Sequence, residues 1–127
     1  MHVSTFRLTV VLIVLFASLT AYAQEPLTVQ DVRYLEMLSR IQEADAANAI
    51  ELNLSNLGAV NVPPEIGNLT QLEVLHLHLA RLGSLPPEIG NLTNLRVLGI
   101  SGNGIEDLPV ELAQLENLEE LYLSRNQ

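Results

Sequence analysis

Two histidines placed one residue apart have the most evident chemistry in this sequence. His76 and His78 belong to the segment Leu75-His-Leu-His-Leu79. In an extended strand, residues i and i+2 point to the same face about 7 Å apart, a spacing that two ligands of one metal ion can use. No third ligand is evident nearby. The pair therefore indicates either a metal or small-ligand site or, more simply, two histidines that meet solvent or a partner.

The composition excludes several classes of chemistry. The chain has 127 residues and a formal charge of −9, its six basic residues are all arginines, and it contains no cysteine and no tryptophan. A P-loop lysine, a lysine Schiff base, a cysteine nucleophile and a thiolate metal site are thereby ruled out. A chain with a pI of about 4.6 and no basic cluster also lacks the positive surface that nucleic acid requires.

The N-terminus has the features of an export signal. Arg7 precedes a largely apolar run from Leu8 to Ala17, and Ala21-Tyr22-Ala23 is a cleavage pattern. We predict that residues 1–23 are a signal peptide, although an uncleaved membrane anchor is the alternative. Cleavage would remove one arginine and no acid, leaving residues 24–127 with a charge of −10 and no membrane segment. The lack of cysteine-capped ends favours a bacterial periplasmic or secreted protein.

Residues 24–48 are predicted to form an amphipathic capping helix. Thr28 can cap its N-terminus, with Asp31 in the first turn. Apolar residues then recur at helical spacing and predict the buried stripe, which consists of Val32, Leu35, Leu38 and Ile41, widened by Tyr34 and Met37.

Residues 49–127 repeat with a period of 23. The segments that begin at Ala49, Leu72, Leu95 and Leu118 align at this constant step, and Pro63-Pro-Glu-Ile-Gly-Asn-Leu-Thr70 recurs at residues 86–93. Such a period is typical of leucine-rich repeats. We count three full repeats and one truncated repeat.

The repeat predicts an α/β solenoid. Alternating leucines such as Leu52 and Leu54 point to one side of a short strand, while Val62, Ile66 and Leu69 close the coil from the far arm. One coil cannot cover its own core, so neighbouring coils must stack. We expect a curved parallel sheet of about four short strands on the concave side, capped by the N-terminal helix.

The concave face is the predicted binding surface. Strand alternation places twelve residues on it in three rows: Glu51, Val74, Val97 and Glu120; Asn53, His76, Gly99 and Tyr122; Ser55, His78, Ser101 and Ser124. Gly99 should leave a notch beside His76. A serine beside His78 could suggest hydrolysis, but no sequence feature supplies an oxyanion hole or a closed pocket.

Residues 49–127 resemble the 23-residue leucine-rich repeats with an LPxEIGxL second half, found in Ras-suppressor-like, plant intracellular and bacterial proteins. The entry from Ile41 to Gly67 is also similar to that of bacterial Roco-type repeat regions. The resemblance implies a non-catalytic protein-recognition scaffold that uses no cofactor and binds a protein partner through its concave face.

Three details of the repeat lead to further expectations. The asparagine at the bend after the strand is present at Asn103 and Asn126 but replaced at Leu57 and Ala80. The first two coils should therefore lack its support and be looser or differently hydrogen-bonded at that bend. Leu118, Leu121 and Leu123 should face water, which favours a fragment of a longer array, with self-association or a frayed end as alternatives. Asn68 and Asn91 fit the glycosylation sequon, although Asn-Leu-Thr is also part of the repeat.

Overall fold

The computed structural model describes residues 25–127. The predicted signal peptide, residues 1–23, lies outside the described residues and stays a prediction. Within residues 25–127, none of the helices is long and apolar enough to cross a bilayer.

One helix, α1, precedes the repeats and spans Val29–Ala46. The Thr28 hydroxyl accepts from the Asp31 amide, and the Asp31 carboxylate accepts from the Thr28 amide at 2.7 Å, so the two residues form a capping box. Hydrogen bonds from the Thr28 side chain and backbone hold the pKa of Asp31 below its ordinary value. After Ala46 the chain turns, and Asn48 adopts a φ of 48°.

The apolar face of α1 covers the first coil from Met37 onward. Met37, Ile41 and Ala44 are buried in the common core, and Leu38 is also buried. Val32 is 52% exposed, so its prediction as part of the buried stripe is wrong. The buried residues of the helix begin only at Met37, and its first turn extends beyond the core.

Four strands of three residues form one parallel sheet, as predicted. They are β1 (Glu51–Asn53), β2 (Val74–His76), β3 (Val97–Gly99) and β4 (Glu120–Tyr122), paired in chain order. Paired residues are one repeat apart throughout; for example, Leu52 pairs with Leu75 and Leu75 with Leu98. The constant register places equivalent residues of successive coils side by side.

The far arm of each of the first three coils is a short 3₁₀ helix. These helices are η1 (Pro64–Asn68), η2 (Pro87–Asn91) and η3 (Val110–Gln114). Proline starts η1 and η2, where its fixed φ suits the first helical position. Their glycines allow close stacking: a β-carbon on Gly90 would lie 2.7 Å from the carbonyl oxygen of Glu111 in the next helix. Neighbouring arms therefore pack backbone against backbone.

A continuous column of leucine and isoleucine fills the space between the two arms. The strands contribute Leu75 and Leu98, and the far arm contributes Ile66, Ile89 and Leu92, all with no exposed surface. These residues belong to a single cluster that also includes Met37 and Ile41 of α1. The predicted solenoid core is confirmed.

Asparagine at the bend supports the preceding coil as well as its own. The Asn103 side-chain oxygen accepts from the amides of Ala80 and Leu82, at 2.9 and 3.1 Å, and its nitrogen donates to the carbonyls of Leu77 and Ile100, both at 2.8 Å. The second coil therefore keeps polar support at its bend and is differently hydrogen-bonded there, which was one of the two expected outcomes. Its own position 80 is alanine, but the next coil supplies the missing bonds.

The first coil receives a different bond at its bend. Position 80 is not asparagine, so the second coil supplies no such side chain to bond the backbone of the first coil. Instead, the Arg33 guanidinium of α1 donates to the Gly58 carbonyl at 3.3 Å. The capping helix thus supplies a polar contact where the repeat sequence offers none.

The last coil exposes part of its apolar surface. Leu121 and Leu123 are 38% and 40% exposed, as predicted, whereas Leu118 is partly buried against the core, so the expectation that it faces water is wrong. Self-association through this edge stays a prediction. Asn68 and Asn91 are exposed at the ends of η1 and η2, and their glycosylation also stays a prediction.

We predict that Asn103→Ala lowers the free energy of unfolding by about 2–4 kcal/mol, because it leaves several buried backbone groups unpaired. Urea unfolding followed by circular dichroism would measure the change. Asn126→Ala is the matched control, since Asn126 makes similar bonds one coil later but is less buried. Asn126→Ala should lower the free energy of unfolding by less. Equal decreases in the two variants would show that the burial of Asn103 does not add to its stabilising effect.

Candidate functional site

The parallel register aligns eight of the twelve predicted residues in two rows across the sheet. Glu51, Val74, Val97 and Glu120 pair in succession across the four strands, as do Asn53, His76, Gly99 and Tyr122. Ser55, His78, Ser101 and Ser124 follow two residues after the second row. The first two rows therefore lie in register across the sheet, while the role of the twelve residues in binding stays a prediction.

Three rings form a continuous row across the concave face, which we call the aromatic row: His76, His78 and Tyr122. The imidazoles of His76 and His78 are stacked, with centroids 5.5 Å apart and planes inclined by 27°. His78 then meets the ring of Tyr122 edge to face at 6.3 Å. Since Tyr122 belongs to β4 and His76 to β2, the His78 ring between them lies over β3.

Gly99 makes this crossing possible. A β-carbon built on Gly99 would overlap Nε2 of His78, would lie 2.5 Å from its Cε1 and would be 3.1 Å from Nδ1 of His76. The open notch predicted at Gly99 is therefore filled by the His78 imidazole. Gly99 itself is buried.

Backbone contacts fix the orientation of His78. Its Nδ1 accepts a hydrogen bond from the Ser101 amide at 3.2 Å, and its own amide donates to the Ser55 hydroxyl at 3.1 Å. A nitrogen that accepts carries no proton, so a neutral His78 must hold its proton on Nε2. The nitrogen over Gly99 is thus a hydrogen-bond donor.

This arrangement does not favour a metal site. To ligate a metal through Nε2, His78 would have to lose the proton on that nitrogen. To ligate through Nδ1, it would have to lose the hydrogen bond from Ser101. In residues 25–127 there is no group of three or more His, Asp or Glu side chains that could hold a metal ion.

The serines do not form a hydrolytic arrangement. The Ser101 hydroxyl lies 3.4 Å from that of Ser124, and the Ser55 hydroxyl accepts from the His78 backbone. Neither hydroxyl is hydrogen-bonded to the His78 ring within the described part of the chain. The elements of nucleophilic activation are therefore not assembled on this face.

One acidic residue of β4, Glu120, borders the aromatic row. The Tyr122 hydroxyl donates to the Glu120 carboxylate, and this hydrogen bond, with the negative charge of Glu120, raises the pKa of Tyr122 above its ordinary value. The ring is 46% exposed. Tyr122 therefore presents an open ring face with its hydroxyl already engaged.

An ion-pair ladder runs beside the concave face, and it was not predicted. Arg96 binds the Glu119 carboxylate through two nitrogens at 3.0 Å and approaches Glu73 at 3.8 Å. Hydrogen bonding to Glu119 raises the pKa of Arg96 and lowers that of Glu119. The sequence contained the pattern that predicts this ladder, because positions 73, 96 and 119 alternate in charge at the repeat period. Being exposed, the ladder contributes to surface charge more than to stability.

Comparisons with known proteins agree with this architecture. A family model described as a leucine-rich repeat region matches residues 52–127. Among solved structures, the leucine-rich repeat protein LIC12759 of Leptospira interrogans is similar, with 36% sequence identity and a TM-score of 0.63 over 73% of this chain. The match spans only 22% of that protein's chain. A search of curated proteins found no similar sequence.

We predict that Glu120→Gln lowers the pKa of Tyr122 toward the ordinary tyrosine value, because the negative charge that disfavours the phenolate is removed. Ultraviolet absorbance during an alkaline titration would detect the shift. Glu51→Gln, in the same row but on the far strand, should leave this titration unchanged. An unchanged Tyr122 titration in Glu120→Gln would show that the hydrogen bond does not persist in solution.

Proposed function

Because this chain belongs to the leucine-rich repeat proteins, we propose that it is a non-catalytic scaffold that binds a protein partner through its concave face. Proteins of this family typically recognise other proteins. The aromatic row is the observation that supports the proposal for this chain. Its three rings are held by specific contacts and lie where the family's binding surface is expected.

The composition of the face suits a protein ligand. Aromatic side chains supply much of the binding energy at protein interfaces, and Tyr122 offers an exposed ring fixed by its neighbours. Flanking serines and Asn53 provide polar groups for the rim. Glu51, Glu120 and the ladder residues make the region acidic, which favours a partner with basic side chains near the strands.

The twelve positions alone are a small surface. Four strands about 4.8 Å apart and three rows about 6.7 Å apart span roughly 200 Å² in projection. A stable interface usually buries about 800 Å² on each partner. Tight binding therefore needs contacts beyond these rows, and we infer that the aromatic row anchors a larger interface.

We predict that changing Tyr122 and His76 together to alanine abolishes or strongly weakens capture of the partner, because the anchor of the interface is lost. The measurement is affinity capture from the native host, comparing the proteins retained by the wild type and by this double variant. The supporting result is one protein that the wild type retains and the concave variant does not.

The control changes the opposite arm of the coil. Thr93 and Glu116 are exposed and follow η2 and η3 in equivalent places. Their double alanine variant should retain the same protein as the wild type. If it loses the partner as fully as the concave variant does, the binding face has been assigned to the wrong side.

We also propose that the protein is exported, on the basis of the apolar N-terminal run and the Ala21-Tyr22-Ala23 pattern. Mass spectrometry of protein from the native host should then find Gln24 as its first residue. A chain recovered from the cytoplasm with an intact Met1 would contradict export.

A further inference from the structure

Gly99 is a glycine for reasons of space rather than backbone conformation. The described glycines with positive φ are Gly58 and Gly102, whereas Gly99 lies in a regular strand. The atoms that its missing side chain would displace belong to the imidazoles of His78 and His76. Glycine at this position therefore permits one specific arrangement of the neighbouring side chains.

The same arrangement depends on the charge of His78. Its Nδ1 accepts from the Ser101 amide, and a protonated ring would direct an N–H at that amide instead. Both imidazoles also lie in one stack, where two positive charges would repel. Protonation of His78 therefore opposes its hydrogen bond with Ser101, and protonation of both rings would also oppose their stacking.

The surrounding charges are few and mostly engaged. From β2 the ring meets His76, whose Nδ1 is buried and has no hydrogen-bond partner among residues 25–127. From β4 it meets Tyr122, whose hydroxyl is bonded to Glu120. The concave residues of β3 are uncharged, and the concave acid of β1 is Glu51, in register with Val74.

We propose that Gly99 is a positioning residue that determines the specificity of the concave face, and that it does so by holding a neutral His78 across β3. The partner is recognised while the aromatic row is assembled, and acid releases it by protonating His78. The part concerning the partner rests on the proposed function. The structural part does not, because the row can be observed in the protein alone.

The experiment is nuclear magnetic resonance of the isotopically labelled full-length chain between pH 5 and pH 8, a range in which imidazoles change charge. At high pH the His78 nitrogen shifts should show a proton on Nε2, and cross-relaxation should connect the His78 and Tyr122 rings. As the pH falls, the Ser101 amide should shift with the same midpoint as the His78 ring, and the cross-relaxation should vanish.

Gly99→Ala is the diagnostic variant. Its new methyl group meets the far end of a flexible side chain, so the coil should fold while the His78 ring is displaced. The Ser101 amide should then stop following the His78 titration. Gly83→Ala is the matched control, because a β-carbon at Gly83 meets nothing within 4 Å, and it should behave as the wild type does.

Two results would overturn the inference. One is a Ser101 amide that follows His78 equally in the wild type and in Gly99→Ala; the other is a His78–Tyr122 contact that persists once the His78 nitrogen shifts show a protonated ring. Once a partner has been captured, Gly99→Ala should weaken its affinity about tenfold or more at pH 7.5, as expected for loss of an anchoring contact. His78→Ala should remove the pH dependence of binding.

These outcomes separate the two proposals. A partner that requires Tyr122 and His76 but binds Gly99→Ala as tightly as the wild type would refute the inference and leave the proposed function standing. An assembled, pH-sensitive row in a protein whose partner is unaffected by changes on the concave face would refute the proposed function alone.

Discussion

The repeat fold depends on one constraint, which is that a 23-residue coil cannot bury its own leucines. A strand of three residues covers one side of Leu75, and the far arm covers another, but the two remaining sides are closed only by the coils before and after. Burying a leucine contributes about 1.5–3 kcal/mol, so the stacked arrangement strongly outweighs an isolated coil. Stacking in turn imposes the constant register that aligns equivalent residues on the concave face.

Stacking also determines where the polar groups find partners. Asn103 bonds the carbonyl of its own coil and the backbone of the coil before it, so the hydrogen-bond network crosses the same boundary as the apolar core. Asn94 and Asn117 likewise donate to backbone carbonyls of the preceding coil. Arg33 extends this pattern to the capping helix. Core and polar contacts therefore favour the same register, and a slip of one residue would break both.

On the concave face, a residue that differs from its equivalents in the other coils creates a new contact. Gly99 stands in line with His76 and Tyr122, and the small residue between two large ones is what lets His78 leave its own coil. The result is a lateral contact between the second and fourth coils. A uniform row of large side chains could not make this contact between the second and fourth coils, because each side chain would occupy the space above its own strand.

The sequence by itself determined the architecture. The 23-residue period, the alternating leucines and the Thr28–Asp31 pair predict the sheet, the far arm and the capped helix, since these follow from local periodicity and from which residues must be buried. The same alternation assigned the twelve concave positions, because strand geometry decides the face on which each residue lies.

Only the tertiary structure decided how those positions interact. The direction in which His78 crosses Gly99, the proton on its Nε2 and the support of position 80 by Asn103 all involve residues at least 21 apart in sequence. Periodicity predicts that such residues are neighbours, but it cannot predict which rotamer fills a gap or which coil receives a hydrogen bond. Those outcomes depend on side-chain packing and hydrogen-bond geometry, and these are defined only once adjacent coils are stacked.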